Sequence, residues 1–269
     1  MFRPVNPARP APVLPYVLET STTLTSPDRV GRQLAAATAA QLALLAVLTA
    51  QVGLGVTGWA AGAATAVGLH TLLGGAARRA GLLALGPADV VTLARASLVT
   101  GAVALVADRF GTGAMPIRTL VVLTTVALVL DAVDGKVARA TGTCSALGAR
   151  FDMEVDAFLV LVLSAQAAVT LTPWALLIGA MRYAFVAASW VLPWLTGELP
   201  VRMSAKAVAA LQGIVLIVAV SGVLPHGVAT ALVLAALGAL VWSFGQSVTW
   251  LWRAHAAHPV RPFAIASAR

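Results

Sequence analysis

The chain has 269 residues, of which 59% are hydrophobic and only 10% charged, and its mean hydropathy is +0.90. Soluble domains carry about a quarter charged residues, so this balance excludes a water-facing globule and points to an integral membrane protein. The formal charge of +8 would suit nucleic acid if the basic residues clustered on one polar face; they are scattered between apolar runs, so no nucleic-acid partner is expected.

Residues 1–32 hold Pro4, Pro7, Pro10, Pro12 and Pro15 with four arginines, and lack the charged-then-apolar design of a signal peptide. They read as a cytoplasmic tail. From residue 33 to 77 the chain is apolar without one charge. That is long enough for two membrane spans, with the Gly53, Gly55 and Gly58 cluster marking the turn between them. Gly58 and Gly62 have the Gly-x-x-x-Gly spacing that permits close helix packing.

Arg78 and Arg79 close this hairpin. Six further apolar segments follow, near 89–107, 116–134, 148–171, 174–196, 205–223 and 226–252, with Pro87, Pro173, Pro200 and Pro225 at or beyond their boundaries. The predicted architecture is an all-α integral membrane protein of two plus six spans. Its domains are the tail 1–32, the hairpin 33–77, a six-helix unit 86–252 and a second cytoplasmic tail, 253–269.

With the N-terminus inside, the inner segments hold Arg3, Arg9, Arg29, Arg32, Arg78, Arg79, Lys136, Arg139, Arg150, Arg202, Lys206, Arg253, Arg261 and Arg269, and the outer ones only Arg109 and Arg118. Positive charge accumulates on the cytoplasmic side, so both termini are expected there, in a plasma (cytoplasmic) membrane. Arg95 and Arg182 fall within spans.

The chain has only ten acidic residues, and Asp131, Asp134, Asp152, Glu154 and Asp156 lie within one short stretch. Carboxylates beside a hydrocarbon core are expensive, which makes the cluster a functional-site hypothesis. On helices, Asp131, Asp134, Gly135 and Ala138 share one face, and Gly148, Asp152 and Asp156 share another. The intervening Thr141-Gly142-Thr143 lets the chain reverse, so the two faces can converge. Four carboxylates in one site repel unless cations neutralise them, and hard divalent ions bind carboxylates and substrate phosphates together. Arg139 adds a planar cation suited to phosphate. Glu154 points away from the Asp152/Asp156 stripe and reads as an interfacial or structural acid. The single Cys144 excludes a disulfide framework and a thiolate zinc site, and the four histidines show no metal spacing.

The run Asp131-x₂-Asp134-Gly135-x₂-Ala138-Arg139-x₈-Gly148-x₃-Asp152-x₃-Asp156 resembles the defining motif of the CDP-alcohol phosphotransferase family, with every specified residue present at the right spacing. A weaker match, Asp89-Val-Val-Thr92-Leu-Ala-Arg95, is similar to the Asn-x-x-Thr-x-x-Arg element that opens the family's first core helix, with Asp89 departing from Asn. As a helix N-cap, Asp89 has an equally good structural reading.

The resemblance implies a six-helix membrane enzyme over about 86–252, a homodimer, and two divalent ions, Mg²⁺ or Mn²⁺. It makes Asp131, Asp134, Asp152 and Asp156 the metal-binding acids, with Asp156 also the general base. Asp131, Gly135, Ala138 and Arg139, with Thr92 and Arg95, are expected around the CDP moiety. The implied reaction transfers a phosphatidyl group from CDP-diacylglycerol to a small alcohol or alcohol phosphate and releases CMP. The same chemistry with a soluble CDP-alcohol donor and a lipid or inositol-phosphate acceptor is an alternative. A transporter is the non-enzyme alternative, disfavoured because the acids gather at one mouth. Arg182, inside a span, is expected to meet an anionic acceptor or, structurally, a motif Asp; Arg202 and Lys206 flank the same mouth.

Overall fold

The computed structural model describes residues 29–141, 146–197 and 203–257, with side chains described outside 134–141, 146, 203, 206 and 257. Eight α-helices run in chain order among them: α1 (Arg29–Val52), α2 (Val56–Arg79), α3 (Pro87–Thr112), α4 (Ile117–Thr141), α5 (Ala146–Thr170), α6 (Leu176–Val191), α7 (Met203–Val220) and α8 (His226–Ala257). Short 3₁₀ turns, Pro173–Ala175 and Pro193–Thr196, bracket α6, each opened by the proline read as a boundary or lying just after Leu192.

The all-α membrane architecture holds. Helix α1 begins at Arg29, so Arg29 and Arg32 belong to its first turn rather than to a tail, and α8 runs on to Ala257. Six helical stretches among the described residues are long and apolar enough to cross a bilayer. Helix α4 carries Arg118 near its start and Asp131, Asp134, Lys136 and Arg139 in its second half.

Helix α3 is the centre of the fold and packs against α1, α2, α4 and α5. Its small residues allow that crowding. A Cβ on Gly58 would lie 2.9 Å from the Ala104 carbonyl oxygen, and one on Gly62 would lie 3.2 Å from the Ala104 Cβ, so the Gly-x-x-x-Gly pair of α2 does pack directly on α3. Leu45, Leu48 and Leu54 of the hairpin share one core cluster with Ala102, Leu105 and Val106 of α3. Gly53, at φ +72, takes the left-handed conformation that ends α1, and Gly58 lies inside α2 rather than in the turn.

Polar contacts fasten the hairpin to the core at both ends. Gln33 accepts from the Leu85 N–H at 2.8 Å and donates to the Leu85 carbonyl at 3.2 Å. At the other end Asp108 of α3 caps α2 in place of a local side chain. One carboxylate oxygen accepts from Gly55 N–H (3.1 Å), the Thr57 hydroxyl (2.9 Å) and Gly58 N–H (3.1 Å). Loss of a buried acceptor strands its donors at about 1–3 kcal/mol. Asp108→Ala should therefore cost about 2 kcal/mol and lower the melting temperature in detergent, while Asp108→Asn, which keeps an oxygen, should cost less. Equal melting of parent and Asp108→Ala would show that the hairpin is held by apolar packing alone.

Candidate active site

The site begins at the N-terminus of α3. Gly86 is the N-cap, Pro87 occupies the first turn, and the Asp89 carboxylate accepts the Gly86 N–H at 2.9 Å. Asp89 is thus committed to capping, which accounts for an acid where the resembling element has Asn. Thr92 lies one turn on, 3% exposed, its hydroxyl donating to the Ala88 carbonyl at 3.1 Å.

Arg95 follows on the same face and is completely buried. Its two terminal nitrogens reach the acids of both neighbouring helices. Nη1 donates to Asp131 of α4 at 2.5 Å, and Nη2 donates to Asp152 at 2.6 Å and Asp156 at 2.9 Å, both on α5. Nη2 also donates to the Asp152 backbone carbonyl at 3.2 Å. Asp152 and Asp156 present one stripe because they are one helical turn apart. The predicted convergence of the two motif helices is therefore observed for these three acids: one oxygen from each of Asp131, Asp152 and Asp156 lies within 4.8 Å of the others.

The three carboxylates are 34%, 36% and 43% exposed, above a guanidinium with no exposure at all. Acids form the open surface and Arg95 the floor. Among the described side chains, three carboxylates against one guanidinium leave a formal deficit of two positive charges. Hard oxygen donors with that deficit suit a divalent cation such as Mg²⁺ better than a soft metal, which prefers sulfur or imidazole.

Asp134, Gly135, Ala138 and Arg139 follow on the backbone of α4, but their side chains lie outside those described, as does that of Lys206; Arg202 and the Thr141–Cys144 reversal beyond residue 141 fall outside the described residues. Arg182 of α6 is paired with Glu154 at 2.5 Å, so its partner is the acid that faces off the motif stripe and not a motif Asp. Arg95, expected around the CDP moiety, is the hub of the acid cluster. Sequence offered one signal for that role: a cation two turns into the most buried helix, where an isolated charge must be paired.

The family model for CDP-alcohol phosphatidyltransferase matches residues 86–251, which is 166 of the 269 residues. The chain belongs to the CDP-alcohol phosphatidyltransferase family. No curated protein and no solved structure matches it. The matched stretch opens at the α3 N-cap and ends in α8, leaving the α1–α2 hairpin outside. Membership makes this chain a membrane transferase of phosphatidyl groups acting with a CDP-alcohol and an alcohol acceptor, in phospholipid biosynthesis. The family uses divalent metal, and the Asp131/Asp152/Asp156 triad offers a place for it.

Proposed function

We propose that this CDP-alcohol phosphatidyltransferase transfers the phosphatidyl group of CDP-diacylglycerol to the hydroxyl of a small alcohol or alcohol phosphate and releases CMP. The observation that carries this reading is the meeting of three motif carboxylates, from two helices, over a buried guanidinium. In it, residues 86–252 form the catalytic unit and α1–α2 is an appended hairpin. Both termini and the site face the cytoplasm, on the strength of the Lys/Arg distribution.

Asp131 and Asp152, with Asp134 from the same motif, would hold Mg²⁺ or Mn²⁺. The ions would screen the phosphates of the donor and stabilise charge as the phosphoryl group transfers. The chain's own residues do the rest. Arg95 holds the acids of α4 and α5 in register. Gly135 and Ala138, small residues on the motif face, leave room for the cytidine, and Arg139, with Thr92 at the α3 entrance, completes the CDP pocket. Asp156 takes the proton of the acceptor hydroxyl as its oxygen bonds to the lipid-bearing phosphorus; the bond from that phosphorus to the CMP oxygen breaks, and CMP leaves with that electron pair. Arg202 and Lys206, where the acceptor would enter, recognise a phosphorylated alcohol, and Arg182, anchored by Glu154, lines the approach.

Purified protein given CDP-diacylglycerol, a panel of small alcohols and alcohol phosphates, and Mg²⁺ or Mn²⁺ should release CMP with at least one acceptor. Chelation should reduce the rate to background and added metal restore it. CMP release only from a soluble CDP-alcohol would assign the lipid to the acceptor instead. No CMP from any pair, or release indifferent to chelator, would overturn the reading.

A further inference from the structure

A groove of about 310 Å³ runs between α1 and α2, and none of its lining residues belongs to the acid site. Its floor is buried, at Gln41, Leu45, Ala66 and Gly74, and its rim is exposed, at Leu42 and Val67. Two polar groups inside it satisfy each other. The Thr38 hydroxyl lies 2.9 Å from the Leu34 carbonyl and 2.9 Å from His70 Nδ1, so both side chains are partnered. Gln41 is different. It is 2% exposed, and its Nε2 has no hydrogen-bond partner among the described residues. In a bilayer no water repairs an unpaired N–H, so the groove holds an unused donor.

Arg78 closes one end. The Arg78 guanidinium folds back along the groove, with Nη2 3.9 Å from the place a Cβ on Gly74 would take. From Arg78 to Ala63 the α2 side of the groove extends about 22 Å, apolar beyond His70. The Gln41 side chain leans toward the N-terminal end of α1, which is also the Arg78 end, because Cα–Cβ bonds tilt that way in a helix. The order along the groove is a cation, the Thr38–His70 pair, an unused amide donor, then apolar wall.

We propose that this groove binds one membrane glycerophospholipid, its phosphate against Arg78, an ester carbonyl accepting from Gln41 Nε2, and an acyl chain along Leu42, Leu45 and Ala63. A packed apolar helix would leave the buried amide without an acceptor, whereas this ligand supplies one, and its phosphate meets the exposed Arg78 guanidinium. The proposal is independent of the transferase reading.

The test uses the full chain, delipidated in detergent and titrated with 1-palmitoyl-2-oleoyl phosphatidylglycerol, with bound lipid counted by native mass spectrometry. One lipid per chain is expected. Arg78→Gln and Gln41→Leu should each weaken it at least fivefold, with CMP release unchanged. Gln41→Leu should also raise the melting temperature of the delipidated protein, since the empty groove then buries no unpaired N–H. A Gln41 needed only for packing would lower it. Unchanged lipid binding in both variants, a lower melting temperature for Gln41→Leu, or a lipid-free dimer broken by Leu42→Arg would overturn the proposal.

Discussion

Replacing Arg95 with glutamine should lower the melting temperature of the chelator-treated protein by of the order of ten degrees, and Mn²⁺ should restore more stability to the variant than it adds to the parent. Removing one partner of a buried ion pair costs about 3–5 kcal/mol, and the partial exposure of the acids places this case near 3 kcal/mol. At ~2–4 °C per kcal/mol for a chain of this size, the shift is easily read. The acids explain the second half of the expectation. Without the guanidinium, oxygens of Asp131, Asp152 and Asp156 face one another within 4.8 Å and repel. A divalent cation then relieves a larger repulsion than it meets in the parent. Arg95→Lys should fall between the two, because an ammonium cannot fork to three acids as Nη1 and Nη2 do. A stability loss identical with and without Mn²⁺ would make Arg95 a packing residue only.

The difference between Asp131 and Arg95 shows what the sequence made legible. Asp131, Asp152 and Asp156 stand out because acids are scarce in this chain and the helical period alone puts Asp152 and Asp156 on one stripe. Arg95 carries no such sign, since its partners are 36 and more residues away and only the packing of α3 between α4 and α5 brings them together. Asp108 was invisible for the same reason: it caps a helix 50 residues earlier, a contact that no local capping pattern contains. The Gly58/Gly62 spacing was legible as a pattern, yet its partner, Ala104, was not. Periodicity reports the face a helix presents, and tertiary packing decides what meets it.

Asp156→Asn should reduce CMP release by about 10²–10⁴-fold, the range a positioned general base contributes, while binding of the CDP moiety stays within a few-fold of the parent. The substitution is conservative where it matters for structure. The Asn amide oxygen can still accept from Arg95 Nη2, which now donates to Asp156 at 2.9 Å, so the register of α3 and α5 is kept. What is lost is the basic oxygen that takes the acceptor's proton. Asp131→Asn and Asp152→Asn should behave differently: by weakening the hold on metal they should raise the Mg²⁺ or Mn²⁺ concentration needed for half-maximal donor binding, and turnover should fall as a consequence. Calorimetric titration with CDP in the presence of Mn²⁺, set beside initial rates of CMP release, separates the two patterns. If Asp156→Asn loses donor binding and turnover in proportion, its carboxylate acts as a metal ligand and the proton goes elsewhere; if the variant turns over at the parental rate, Asp156 is not the base.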